Sequence, residues 1–299
     1  MKEFESIVIG KNCIPALVIT IVLMIAIPVV IFIYWRMKHK EQTKIRWLIA
    51  GAAGFIVSAR VLELGAHYFC IIADNPVSRF INGHTFAYVI YGITMAGVFE
   101  ECGRFMVMKY IMKKNRTREN SVLYGIGHGG IEIIAVLLPG MISFLVIAVM
   151  LSTGDMTTAL GTLGITEENA AAALSSVQAA AAFDYGMMAA NVIERILAML
   201  LHIGLTVIVY YGITRAKKSC LPAAIGLHML MDLFAALYQR SVVPLWSVEV
   251  WAVLVTAGVV MIAMKLYRQM EAAPEKSVRS KNESQDQEEK RRGNTTEHE

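Results

Sequence analysis

Apolar runs of about twenty residues or more recur at 14–34, 47–73, 86–112, 122–151, 188–213, from 222 onward, and at 246–266. A helix rises about 1.5 Å per residue, so each run can cross roughly 30 Å of hydrocarbon. The pattern predicts an all-α, polytopic membrane helix bundle of about seven transmembrane helices. The connections are of two kinds. Arg36, Lys38, Lys40, Lys44 and Arg46 crowd the first, Lys113, Lys114, Arg116 and Arg118 the third, and Arg215, Lys217 and Lys218 the fifth. The second, 74–85, has only Arg79, and 152–185 has no Lys or Arg. Under the positive-inside rule the basic connections are cytoplasmic, which places the amino terminus outside and the carboxy terminus inside. No small-residue cleavage signal follows the first run, so it is expected to stay as a helix and not to leave as a signal peptide. Thr166-Glu167-Glu168 ahead of the alanine-rich stretch 169–183 predicts a short surface or interfacial helix. Residues 1–267 then make the bundle, and 268–299, charged and rich in Ser, Gln and Asn, a disordered cytoplasmic tail.

Composition supports the membrane class: 56% of residues are hydrophobic and 17% charged, with a mean hydropathy of +0.52. Cys13, Cys70, Cys102 and Cys220 are scattered without CxxC spacing, which excludes a zinc ribbon or a disulfide framework. No nucleic-acid partner is expected.

The polar residues inside the spans change the picture more. A charge at the bilayer centre costs roughly 3 kcal/mol on insertion scales and persists when paired or facing a polar cavity. The third span carries Phe99-Glu100-Glu101-Cys102-Gly103-Arg104-Phe105, in which Arg104 can pair with Glu100 at i, i+4 or with Glu101 at i, i+3, leaving one carboxylate over. The fourth opens with glycines around His128 and Glu132, which allow another backbone or a substrate to approach closely. The fifth holds His202, and the sixth His228 and Asp232 at i, i+4. Counted at about 1.5 Å per residue, Glu101, His128, His202 and His228 all lie roughly 15 to 18 Å from the basic end of their spans. One polar site near mid-membrane, open to the cytoplasmic side, is the economical expectation. Arg60, Glu63 and His67 share a face of the second span at i, i+3 and i+7; Arg60 and Glu63, with Glu194 and Arg195, fall in the outer half and are expected to form structural ion pairs between spans two and five.

These residue types suit hydrolysis, which needs a group to activate water and groups to stabilise an oxyanion. His128, His202 and His228 can furnish nitrogen ligands of an open zinc site, with Asp232 or Glu132 as further or supporting ligands and Glu100 or Glu101 as general base, although no HExxH occurs. A proton- or metal-coupled transporter, or an inactive membrane scaffold, would also use intramembrane Glu, His and Asp.

Glu100-Glu101-Cys102-Gly103-Arg104, His128 and His228-Met229-Leu230-Met231-Asp232 resemble the motif series of the intramembrane protease superfamily of CAAX prenyl proteases, CPBP proteins and PrsW. The Phe-Glu-Glu-Cys-Gly-Arg-Phe and Gly-His-Gly-Gly-Ile-Glu forms look most like its YhfC branch. The resemblance implies an intramembrane peptidase of a bacterial plasma membrane acting on a membrane protein or peptide. In it Glu100 activates water with help from His128, Arg104 holds the second glutamate, and His228 with Asp232 binds the oxyanion or a metal. The arginine follows the first glutamate by four residues, as in PrsW-like spacing and not the five of the CAAX type, so either glutamate can be the base. Asp232 stands where some relatives have Asn, and a carboxylate cannot donate to an oxyanion unless protonated. That favours a divalent metal, with zinc the first choice.

Overall fold

The computed structural model describes residues 4, 7–152, 161–162, 164–165 and 170–271, and every regular element among them is a helix. These are α1 (Cys13–Lys38), α2 (Arg46–Ile72), α3 (Pro76–Gly83), α4 (Thr85–Met106, carried on by a wide turn through Ile111), α5 (Arg118–Ser152), α6 (Ala170–Ala181), α7 (Tyr185–Thr214), α8 (Cys220–Gln239) and α9 (Leu245–Glu271). Among the described residues, six helices (α1, α2, α5, α7, α8 and α9) are long and apolar enough to cross a membrane. With its wide turn α4 is of similar length, and its Glu-Glu-Cys-Gly-Arg run makes it less apolar. The expected tail 268–299 and the acidic cap Thr166-Glu167-Glu168 lie largely or wholly outside the described residues.

Helix α3 occupies what reads as a loop. Asn75 caps it by accepting from the Val77 and Ser78 amides at 2.8 and 3.0 Å, and Pro76 fills the first turn, where no donor is needed. Four stretches, Ile56–Glu63, Tyr68–Ile72, Val107–Ile111 and Ile133–Leu137, are wound as wider i→i+5 turns. The last ends two residues before Pro139, which lacks a helical donor. The turn at Ile56–Glu63 breaks the 3.6-residue period, so Arg60 is exposed while Glu63 is buried. The shared face read from i, i+3, i+7 spacing therefore does not form.

Helices in lipid gain nothing from hiding apolar faces from one another, so close association depends on small residues. α5 shows how. A Cβ on Gly127 would lie 2.0 Å from the Leu48 carbonyl oxygen, and one on Gly51 2.1 Å from that of Tyr124, so α2 and α5 touch backbone to backbone. On the opposite face a Cβ on Gly125 would lie 2.7 Å from Ile203 Cα of α7. The first half of α5, Glu119 to Gly130, is buried throughout and forms the axis on which α2 and α7 are mounted. α7 also packs on α1, α8 and α9, and α8 lies along α4. The basic connections meet at one end, where Arg46 Nη2 donates to the Lys114 carbonyl at 2.7 Å and Arg215 Nη2 to that of Gln269 at 2.9 Å.

Candidate active site

Four helices each contribute to one polar network. α4 supplies Glu100, Glu101 and Arg104, α5 His128 and Glu132, α7 His202, and α8 His228 and Asp232. All eight residues singled out in the sequence are joined in it. Arg104 Nη1 donates to Glu101 Oε1 at 2.5 Å and Nη2 donates to His202 Nδ1 at 3.1 Å. The arginine thus takes the second glutamate, leaving Glu100 to the histidines: His128 Nε2 lies 3.0 Å and His228 Nε2 3.9 Å from Glu100 Oε2. His228 Nδ1 meets Glu101 Oε1 at 2.9 Å, and its Nε2 lies 3.6 Å from Asp232 Oδ2. Glu132 closes the far side against His202 Nε2. Although Glu132 is four residues from His128, its partner is on another helix, because Glu100 already holds His128.

Hydrogen-bond chemistry assigns the tautomers. In this arrangement His202 accepts from arginine at Nδ1 and carries its proton on Nε2, facing Glu132, so it can ligate an ion only where one of these two contacts is given up. His228 donates from Nδ1 to Glu101, so Nε2 presents a lone pair toward Glu100 and Asp232. Glu101, Arg104 and His128 have no exposed surface. Phe55 of α2 stands edge-on to the His128 ring at 5.1 Å, and Tyr124, one turn before it, lies 6.4 Å away between ring centres. Sequence reasoning passed over both. Tyr124 was within reach of an i, i−4 search from His128, whereas Phe55 carries no local signal.

Four carboxylates face one guanidinium here, an excess of three formal negative charges with neutral imidazoles. Such an excess inside a membrane calls for protons or a cation. One ligand atom each from Glu100, His128 and His202 lies within 4.8 Å of the other two. Two imidazoles and a carboxylate are the donor set of open catalytic zinc sites, so the residues fit a divalent ion. Glu101 Oε2, Arg104 Nε, His128 Nδ1 and the Tyr124 hydroxyl are buried without a hydrogen-bond partner among the described residues. Of the ligands read from sequence, His128 and His202 are in this group, while His228 keeps a lone pair on Nε2, 3.9 Å from Glu100 Oε2 and 3.6 Å from Asp232 Oδ2.

A model of the YhfC intramembrane metalloprotease family matches residues 23–254. The chain belongs to that family. It is 32% identical over 221 residues to the Bacillus subtilis (strain 168) protein described as uncharacterized membrane protein YhfC, covering 73% of this chain and 81% of that one. No solved structure matches. The family name indicates a membrane peptidase that uses a metal.

Toward the basic end the network is covered by an apolar cluster of Trp47, Met108, Met112, Leu123, Tyr124 and Tyr210, with Trp47 and Tyr210 edge to face at 6.2 Å. A cavity of about 460 Å³ reaches Asp232 from the half of the bundle away from the basic connections. The expected ion pairs between spans two and five differ in the structure, for Glu63 pairs with His67 at 3.2 Å and Arg195 with adjacent Glu194, each within its own helix. A carboxylate and a base one residue or one turn apart meet without help from tertiary packing.

Proposed function

We propose that the chain hydrolyses a peptide bond of a membrane-embedded protein or peptide, with a divalent ion, zinc by donor type, held by Glu100, His128 and His202. In the same reading α4 is a seventh crossing, and the basic end of the bundle faces the cytoplasm with the carboxy terminus. The convergence of a carboxylate and two imidazoles beside an excess of negative charge carries the reading.

When bound, the ion supplies Lewis acidity toward the scissile carbonyl and acidifies water. The remaining work falls to the chain. Arg104 keeps Glu101 in place as a carboxylate, and Glu101 holds His228 by its Nδ1–H. His228 Nε2 is then the atom that takes a proton from water and returns it to the leaving amine. Asp232, 3.6 Å from that nitrogen, steadies the imidazolium while it exists. Glu100 Oε2 lies between His128 and His228, so it borders the attacking water in this arrangement and in a metal-free glutamate mechanism alike. A shell of apolar side chains excludes bulk water from the cytoplasmic side.

Cleavage of a membrane substrate by purified protein, with Glu100→Gln beside it and metal measured by elemental analysis, tests the reading. Glu100→Gln should still fold but hold the ion more weakly, and should lose activity by about 10²–10⁴, the range of acid–base catalysis. Full activity without stoichiometric metal would leave the glutamate mechanism alone. Wild-type rates in Glu100→Gln, or metal or proton flux without cleavage, would overturn the protease assignment.

A further inference from the structure

The cavity that reaches Asp232 lies between α2, α4 and α8 in the half of the bundle away from the basic connections. α4 forms its floor. Both α2 and α8 pack against α4, and among the described residues they make no comparable packing with each other. No close packing of α2 on α8 therefore closes the groove along its side.

One wall carries a polar row that the catalytic reading does not use. Glu63 is buried and lies 3.2 Å from His67 Nε2, and His67 Nδ1 meets the Tyr91 hydroxyl at 2.9 Å. All three residues line the cavity with Asp232, whose other neighbour is His228. Gly92 and Ala96 line the α4 side, and a Cβ on Gly92 would meet nothing within 4 Å. Open space thus begins at the backbone and runs to the network, with hydrogen-bonding groups along the way.

Peptide-bond hydrolysis inside a membrane needs an extended segment, because a helix shields its carbonyls. Such a segment exposes N–H and C=O groups that lipid cannot satisfy. A groove with one polar wall, lateral access and an end at the catalytic network supplies those partners. We propose that it receives an unwound segment of a membrane-embedded protein substrate, entering between α2 and α8 in the extracytoplasmic half, with Glu63, His67 and Tyr91 as backbone-binding residues. This rests on the protease reading and adds a substrate path to it.

Two measurements separate the inferences. In Gly92→Cys, a membrane-impermeant thiol reagent is applied to intact cells and to inverted vesicles, and the adduct on residue 92 is read by peptide mass. Modification should be several-fold faster from outside, and modification only from the cytoplasmic face would overturn the proposal whether or not the protein is a protease. In purified protein, Gly92→Trp should fill the groove and abolish cleavage of a membrane substrate with no loss of folded protein. Gly92→Leu serves if tryptophan impairs folding, and Gly258→Trp, a position on α9 where a Cβ also meets nothing within 4 Å, should cleave normally. His67→Phe and Tyr91→Phe should raise KM more than they lower kcat. Normal cleavage by a folded Gly92→Trp would sink the path while leaving the protease assignment intact. Absence of cleavage by wild type would sink the assignment while the labelling still reports where the groove opens.

Discussion

Two groups of charged residues in this bundle contain the same chemical types and are built in opposite ways. In the four-helix network, Arg104 reaches Glu101 on its own helix and His202 on α7, while His228 of α8 reaches back to Glu101. In the half of the bundle away from the basic connections, Glu63 meets His67 on the same helix and Arg195 meets its neighbour Glu194, whose side chain is 42% exposed. The first group exists only when four helices assemble. The second is available to any helix that forms. A polar residue whose partner is distant in sequence reports on assembly and site geometry, whereas a local pair can form before any packing.

Substitutions that break this contrast should rank accordingly. Arg104→Ala strands Glu101 in the interior, and breaking a buried pair typically costs about 3 to 5 kcal/mol, so folded yield and melting temperature should both fall sharply. Removing metal with a chelator should come next. Binding to the folded state alone stabilises by about 2.7 kcal/mol when the free ion is at about 100 times its Kd, so stripping should lower the melting temperature and re-addition restore it. An unchanged melting curve in protein shown to have lost metal would argue against the Glu100, His128 and His202 site. Gly127→Ala forces a methyl group against the Leu48 carbonyl, which no side-chain rotation relieves, and overpacking of this kind costs about 1 to 3 kcal/mol. Thermal unfolding in detergent would read it against Gly258→Ala, which should be neutral. Smallest is Glu194→Gln, where a half-exposed pair is worth about 0 to 1 kcal/mol. A melting temperature drop as large as that of Arg104→Ala would mean that the Glu194–Arg195 pair is also part of the assembly, and the contrast would fail.

The membrane class, the helical spans and the residues of the network could be read from the linear sequence, because each rests on local regularity. An apolar run long enough to span a bilayer must be helical, since only a helix satisfies its own backbone there. Glu101, His128, His202 and His228 stand at similar counts from their basic ends, so their meeting at one depth follows from the rise of a helix. Which partner each takes was decided by packing. Arg104 could have reached Glu100 or Glu101 along its own helix, and the presence of His128 beside Glu100 and of His228 beside Glu101 settles the choice. The cavity that reaches Asp232 was likewise formed in three dimensions, by α2, α4 and α8 lining it together. The wide turns that turn Arg60 away from Glu63 leave no mark in hydrophobic spacing. Periodicity records the direction of side chains on a single regular helix; pairing and access depend on how several helices are rotated against one another, and that rotation is set by contacts such as Gly127 on Leu48, between residues far apart in the chain.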